Sequence, residues 1–460
     1  MKEQSITLNG FTKGLRQYSD ASRNSEGLVE CFNLIPRPQG LIAAPTISRL
    51  ITQVSVDHPF PQVFIGHVHW VCATRDKIYT VNGDWSLTLQ LDLNVYYNSF
   101  PDAPQGVWHF ADFFNYVVLT NGGITVLYNP VAARWEYNDV ATIPTLGTIL
   151  NFNGQMVGSG RATIAGDPKT IHPDASEVDE NFLIWGKIGS ASFRLDQSNV
   201  TGYRPMPWFG EIYKILPLGS GIAVYGSNGI SFLEPVDVKW HLKRTLRYGI
   251  LSREAVSGDE TRHVAIDVEG NLRIITPDNL DPEPLYSEFF SGMIGTTVVV
   301  TYNPQQRECY VANGNEAYCL TRMGLAEVSQ SPTTLAVLGG VVSGFYTDLS
   351  DSEARVTSDQ YDFGSRGKKT IDGISVGAIT SAALYVAIDY RNSSTTSFES
   401  TDWVEVNEQG VAHIVVSGLE FRFKIKCSSY SGMKLDYFSP NVKFDDKRFM
   451  RGIHVNKAAA

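Results

Sequence analysis

Apolar residues along this chain come in short runs that alternate with polar ones and stop at Gly, Asn, Asp or Pro. That is the period-two signature of strands. KIYTVNGDW from Lys77, GITVLYNP from Gly123, NLRIITPDN from Asn271 and AALYVAIDY from Ala382 show it. Helical periodicity is scarce, and the best candidates are short and sit in loops, such as SDSEAR from Ser350. The pattern predicts an all-β protein.

The runs also repeat. An apolar strand, a tight turn and a second strand recur in VFIGHVHWVCATRDKIYTV from Val63, VWHFADFFNYVVLTNGGITVLY from Val107 and IYKILPLGSGIAVYGSNGISFLEP from Ile212. Weaker copies start at Leu150, His263 and Thr297. Their last strands open at Ile78, Ile124, Ile184, Ile230, Leu272 and Ala317, mostly about 42 to 46 residues apart, with one longer step. The longer step holds the polar insertion AGDPKTIHPDASEVDE from Ala165. A period of about 40 to 50 residues of strands suits a β-propeller, whose blades bury their faces on one another. Residues 51–365 are therefore expected to form a β-propeller of about six or seven blades. A β-sandwich with recurring hairpins is the plainer alternative. After FGSRGKKT from Phe363 the alternation becomes cleaner, in ISVGAI, WVEVNEQGVAHIVVSG and FRFKIKC. Residues 366–445 are expected to form a C-terminal antiparallel β-sandwich-like domain, followed by a polar tail at 446–460. Residues 1–50 show little period and are expected to be an extended N-terminal arm.

Composition narrows the function. The 460 residues carry 38 Lys+Arg against 48 Asp+Glu, a net charge of -10, which argues against a protein built to grip nucleic acid backbone. Hydrophobic residues at 43% and charged ones at 19% describe a folded chain rather than a disordered one. No apolar run reaches membrane-spanning length, and MKEQSITLNG lacks the apolar stretch of a secretory signal. The five cysteines, Cys31, Cys72, Cys309, Cys319 and Cys427, form no CxxC and are expected to be reduced. If any two bridged, Cys309 and Cys319 would be the pair.

Catalytic signatures are missing. There is no HExxH, GxSxG, strand-following GxGxxG or P-loop, so no catalytic residue, metal or cofactor is expected. The insertion contains His172, Asp174, Glu177, Asp179 and Glu180 without the spacing of a calcium loop. Glu254, Asp259, Glu260, Asp267 and Glu269 cluster in sequence, which leaves open whether two of them face each other as a glycosidase would need. The eight tryptophans fall roughly one per repeat and are read mainly as fillers between blades.

The opening segment LNGFTKGLRQYSDASRNSEGLVECFNLIPRPQGLIAAPTISRL, with Gly10, Gly14, Asn33, Gly40, Leu41 and Pro45, resembles the tail-hub or nozzle proteins of short-tailed bacteriophages. These include the packaged-DNA stabilisation proteins. FADFFNYVVLTN from Phe110 matches their second repeat, and the ending KFDDKRFMRG resembles their terminal basic strand. Where that family carries a basic residue before the proline, this chain has Ala44. The resemblance is specific over about the first 130 residues and architectural beyond them. It implies a non-enzymatic virion protein, made in the bacterial host cytoplasm. Its copies would form a tail ring, six in number, below the portal or adaptor protein. Tail fibre or tail tip proteins would be further partners, and genomic DNA would pass through the lumen without sequence-specific binding.

On that reading the ends lace subunits together. The arm offers Phe11, Phe32 and Leu34, and the tail couples Arg448 and Arg451 to Phe449 and Met450, so these seven are the expected partner contacts. Removing either end should then leave a folded propeller that cannot assemble. A carbohydrate-binding or glycoside-cleaving propeller is the alternative from another class. A host scaffold propeller is a third, disfavoured by the lack of WD or kelch signatures.

Overall fold

The computed structural model describes residues 2–8, 13–17, 27–49, 51–101, 103, 105–137, 143, 145–159, 180–191, 193, 201–237, 239–338, 341–349 and 352–444. The tail, Phe11 and all of the acidic insertion but Glu180 lie outside them. The described residues are strands almost throughout. Helix is limited to Asn94–Ser99, Ser287–Phe290 and a 3-10 turn at Ser291–Met293. SDSEAR is not helical where it is described, because Ala354–Ser358 is a strand. None of the described helices is long and apolar enough to cross a membrane.

The chain divides into two compact units. Ile47–Asn315 with Ser331–Thr347 form the repeat unit, and Met1–Thr46, Glu316–Gln330 and Asp348–Ala460 form the terminal unit.

The repeat unit is a succession of small antiparallel sheets, propeller-like in construction. Sheet I is Gln62–Ile65, Trp70–Ala73, Lys77–Val81 and Leu87–Asp92. Sheet II is His109–Phe113, Tyr116–Thr120, Thr125–Asn129 and Arg134–Tyr137. Sheet III is Ile149–Phe152, Gln155–Ser159, Phe182–Trp185 and Gly202–Pro205. Sheet IV is Ile212–Leu218, Gly221–Gly226, Ile230–Val236 and Lys239–Leu246. Each of these four has its strands in chain order. Sheet V has three strands, Val256–Asp259, Arg262–Ile266 and Leu272–Ile275. A hairpin, Val299–Asn303 with Glu308–Ala312, follows it. The residues that set the sequence period, Ile78, Ile124, Ile184, Ile230 and Leu272, are all buried at or beside the third strand of their sheet.

Side-chain alternation explains why these sheets stack. Strand Tyr116–Thr120 sends Val117 and Leu119 into a core shared with sheet I, around Val71, Ile78 and Trp108. It sends Val118 the other way, into a core shared with sheet III, around Met156 and Ile184. Sheet III repeats the division, with Met156 toward sheet II and Val157 toward Ile222, Val224 and Trp240 of sheet IV. Middle strands buried on both faces read as unbroken apolar runs, as YVVLT does. The first strands of sheets II to V and of the following hairpin lie side by side in that order. Polar ties link the sheets. Gln62 exchanges two hydrogen bonds with the Trp108 backbone, and Asn151 Nδ2 donates to Asp112 O at 2.8 Å. Thr333 Oγ1 donates to Pro61 O at 3.1 Å, so a segment late in the chain reaches sheet I.

The terminal unit holds two sheets. One contains Leu34–Arg37, Gly40–Ala43, Lys434–Phe444 and Lys369–Ile379 in that order, with Lys2–Ser5 also on Lys434–Phe444. The other contains Leu28–Phe32, Ala354–Ser358, Glu420–Cys427 and Leu384–Arg391. Phe423 and Phe438, one from each sheet, meet with ring centroids 4.8 Å apart.

This corrects the boundaries read from the sequence. Residues 27–46 are not a free arm but supply three strands to the terminal unit, and 316–330 and 348–365 belong there too. Phe32 and Leu34 are buried in that unit's interior and are not available as partner contacts. The physical reason is pairing over long sequence distances. Leu28 pairs with Ser358 and Leu41 with Leu435, so the local sequence shows no hairpin.

Candidate functional site

One polar convergence in the repeat unit that joins several sheets lies at the starts of the first strands and in the links that lead to them. Arg253, in the link into sheet V, donates to Glu211 Oε2 at 2.7 Å and to Gly147 O at 3.3 Å. Its guanidinium also sits 5.4 Å from the Tyr213 ring centre. Beside it Lys214, on the first strand of sheet IV, pairs with Glu254 Oε2 at 2.5 Å. His109 opens the first strand of sheet II. One arginine thus ties the links before sheets III, IV and V. A register shift between Ile212 and Lys214 breaks the alternation of this strand, so Ile212 and Ile215 both enter the core while Lys214 stays out of it.

Burial sets the electrostatics. It pushes the Glu254 carboxyl up from its ordinary range, and the neighbouring Lys214 pulls it back in part. It holds the His109 imidazole neutral, well below the ordinary histidine value, and Lys214 and Arg253 add to that effect. Glu254 Oε1 and His109 Nε2 find no hydrogen-bond partner among the described residues. Two cations face two carboxylates, so the cluster carries no net charge. It fastens successive sheets, and its enclosed Glu254 and His109 are the groups with perturbed proton affinity.

The sequence cluster of acids does not converge. Asp259 accepts from Tyr302 at 2.8 Å and from Thr261 at 2.6 Å. Asp267 accepts from Arg273 Nε at 2.8 Å and from Asn271 N at 2.8 Å, closing a turn. Glu254 goes to Lys214. Among the described residues no three His, Cys, Asp or Glu side chains are placed to hold a metal ion. The five cysteines are buried free thiols. Most tryptophans bridge neighbouring structure. Trp108 Nε1 donates to Thr74 O at 2.7 Å, and Trp240 Nε1 donates to Gln155 Oε1 at 3.2 Å. Trp403, in the terminal unit, is the exposed one. Arg448, Phe449, Met450, Arg451 and Phe11 lie outside the described residues. Sequence reading missed Lys214, Glu211, Arg253 and His109. Only the side-by-side first strands bring them together.

A second buried histidine makes a pH prediction. His263 Nδ1 lies 2.7 Å from Tyr225 OH and Nε2 lies 2.8 Å from Pro217 O. A neutral ring that accepts from the tyrosine and donates to the carbonyl fits both contacts. Burial lowers its pKa to about 4. The unfolded chain therefore takes up this proton first as pH falls below about 6.5. The stabilisation is complete above that value and is lost between about 6.5 and 4, amounting to roughly 3 kcal/mol for this one group. His109 adds to the loss, whereas Glu254, with its raised pKa, has the opposite sign. Melting temperatures between pH 7.5 and 4.5 should fall, and His263→Gln should flatten the fall. An equally steep profile in that variant would refute the assignment.

No protein-family model matches the chain, and no curated protein sequence matches it. Solved structures with partial likeness include the PorZ surface component of the type-IX secretion system of Porphyromonas gingivalis, at 8% identity and a TM-score of 0.35. That match covers 68% of this chain and 36% of PorZ. The Neurospora crassa Pan2 WD40 domain is 7% identical with a TM-score of 0.39, over 64% of this chain and 85% of the domain. The extracellular domain of a putative one-component system of B. thetaiotaomicron is 8% identical with a TM-score of 0.43, over 92% of this chain and 64% of that one. Likenesses this distant bear on neither mechanism nor partners.

Proposed function

We propose that this chain is a structural subunit of a short phage tail, a hub or nozzle protein whose copies form a ring along the path of the genome. In this reading the repeat unit closes as a propeller of six or seven blades, and the terminal unit is a two-sheet sandwich. The reading rests on one observation. Three of the residues that carry the resemblance, Gly14, Asn33 and Gly40, hold constrained positions in the terminal unit. Asn33, buried and left-handed at φ 58°, donates to Glu353 O and accepts from Ser329 N, both at 2.8 Å. Gly40, at φ 118°, lies where a Cβ would come within 2.3 Å of Leu435 O. Gly14, at φ 64°, is similarly pressed against Leu325 O. Few other residues would fit at these three positions, which supports the reading.

The net charge of -10 agrees with a lumen through which phosphates slide without being held. Mass photometry and negative-stain imaging of the full chain test the reading. Rings near six times 50.8 kDa, roughly 300 kDa, are expected. A strict monomer that binds or cleaves glycans would favour the carbohydrate alternative instead.

A further inference from the structure

One end of sheets I to III exposes a row of apolar side chains. In sheet II the hairpin tip between His109–Phe113 and Tyr116–Thr120 is Phe114, with φ at 54° and 62% of its surface exposed. A two-residue hairpin of this kind asks for Asn, Asp or Gly at a left-handed position. Sheet III obeys the rule with Asn153 and Gly154 at the corresponding tip. Phe114 breaks it and leaves most of its ring in water, with one side against Phe113 at 4.8 Å between ring centres. Backbone strain and an exposed ring at one residue are two independent costs that the fold of this sheet does not require.

The neighbours make the residue part of a surface. In sheet I the turn after Gln62–Ile65 exposes Ile65 and Val68, and His67 N from this turn donates to Asp112 Oδ2 of sheet II. On the other side a Cβ on Gly154 would lie 3.9 Å from the Phe114 ring, and Gly189 N donates to Gly154 O at 2.8 Å. That brings the exposed Ile188 alongside. Val131, 88% exposed, caps the other hairpin at the same end of sheet II. The row of five presents on the order of 500 Å² of apolar side chain, at the upper range of what a monomer exposes. A standard interface buries about 800 Å² per partner, of which somewhat over half is apolar. The row is therefore the size of the apolar part of one protein face.

We infer that this end of sheets I to III is the surface on which a second copy of the chain docks, with Phe114 as its central anchor. The inference rests on the ring reading above. In a ring each copy meets the next through two different surfaces, so the row would seat on another part of its neighbour.

Mass photometry of the full chain, of Phe114→Asn and of Ile188→Asn tests it, with melting curves alongside. Phe114→Asn supplies a residue that favours the left-handed turn, so its melting temperature should hold or rise. Its assembly should weaken by about thirtyfold or more, as expected for an aromatic anchor. Ile188→Asn should weaken assembly less. Phe209→Ser is the control, an even more exposed aromatic in the link between sheets III and IV, and should assemble as the parent does. If Phe114→Asn and Ile188→Asn assemble like the parent, the docking inference fails and the ring reading stands. The docking inference fails in the same way if Phe209→Ser alone disrupts assembly. A parent chain that stays monomeric at tens of micromolar overturns the ring reading itself.

Discussion

A chain shortened to begin at residue 46 is expected to lose its terminal unit, not merely its ability to assemble. The deletion removes Leu28–Phe32, Leu34–Arg37 and Gly40–Ala43 from two sheets. Leu28, Leu34, Ile35 and Leu41 are all fully or almost fully buried. Burying four such side chains is worth about 2 kcal/mol each, so the loss approaches the whole stability of an ordinary domain. Asn33→Ala makes the same point with one residue. It leaves Glu353 O and Ser329 N without their partner and puts alanine in a left-handed position. Each orphaned group costs about 1–3 kcal/mol and the backbone about 1 more. Limited proteolysis should cut the shortened chain within residues 348–444 while leaving 47–315 resistant. A protected terminal unit in the shortened chain would show that its early strands are dispensable.

The second large effect belongs to the pair that links sheets IV and V. Lys214→Met should destabilise the repeat unit by about 3–5 kcal/mol, because it strands the buried Glu254 carboxylate. Adding Glu254→Leu should recover most of the loss, since an apolar pair of similar volume replaces a buried ion pair at little net cost. Urea titrations of the parent, both single variants and the double variant give the coupling directly. A cost below about 1 kcal/mol for Lys214→Met would mean that water reaches Glu254 freely.

The repeat unit was legible in the sequence because its signal is local. Every third strand opens after a tight turn with a residue that must be buried, which is why Ile78, Ile124, Ile184 and Ile230 keep time. The terminal unit was not legible beyond its late strands. A strand such as LVECF has partners more than 290 residues away, and its mixed pattern names neither of them. The ties made by Lys214 and Arg253 were hidden for a related reason. Lys214 and Glu254 are ordinary charged residues until two first strands lie side by side. Glu254 was noticed only for its acidic neighbours in sequence, and none of those is its partner.

The two ends of the described chain share a sheet, and this bears on how the molecule would take a mechanical load. Lys2 pairs with Phe444 and Ser5 with Asn441, antiparallel, so the chain enters the first strand and leaves the last at the same end of the ladder. A pull on the termini would open this pair like a zipper, breaking one rung at a time. Pulling along opposed strands would instead load all the rungs together. This strand pair is thus the weak place to tug, and on the proposed tail reading a load would have to pass through the faces of the sheets.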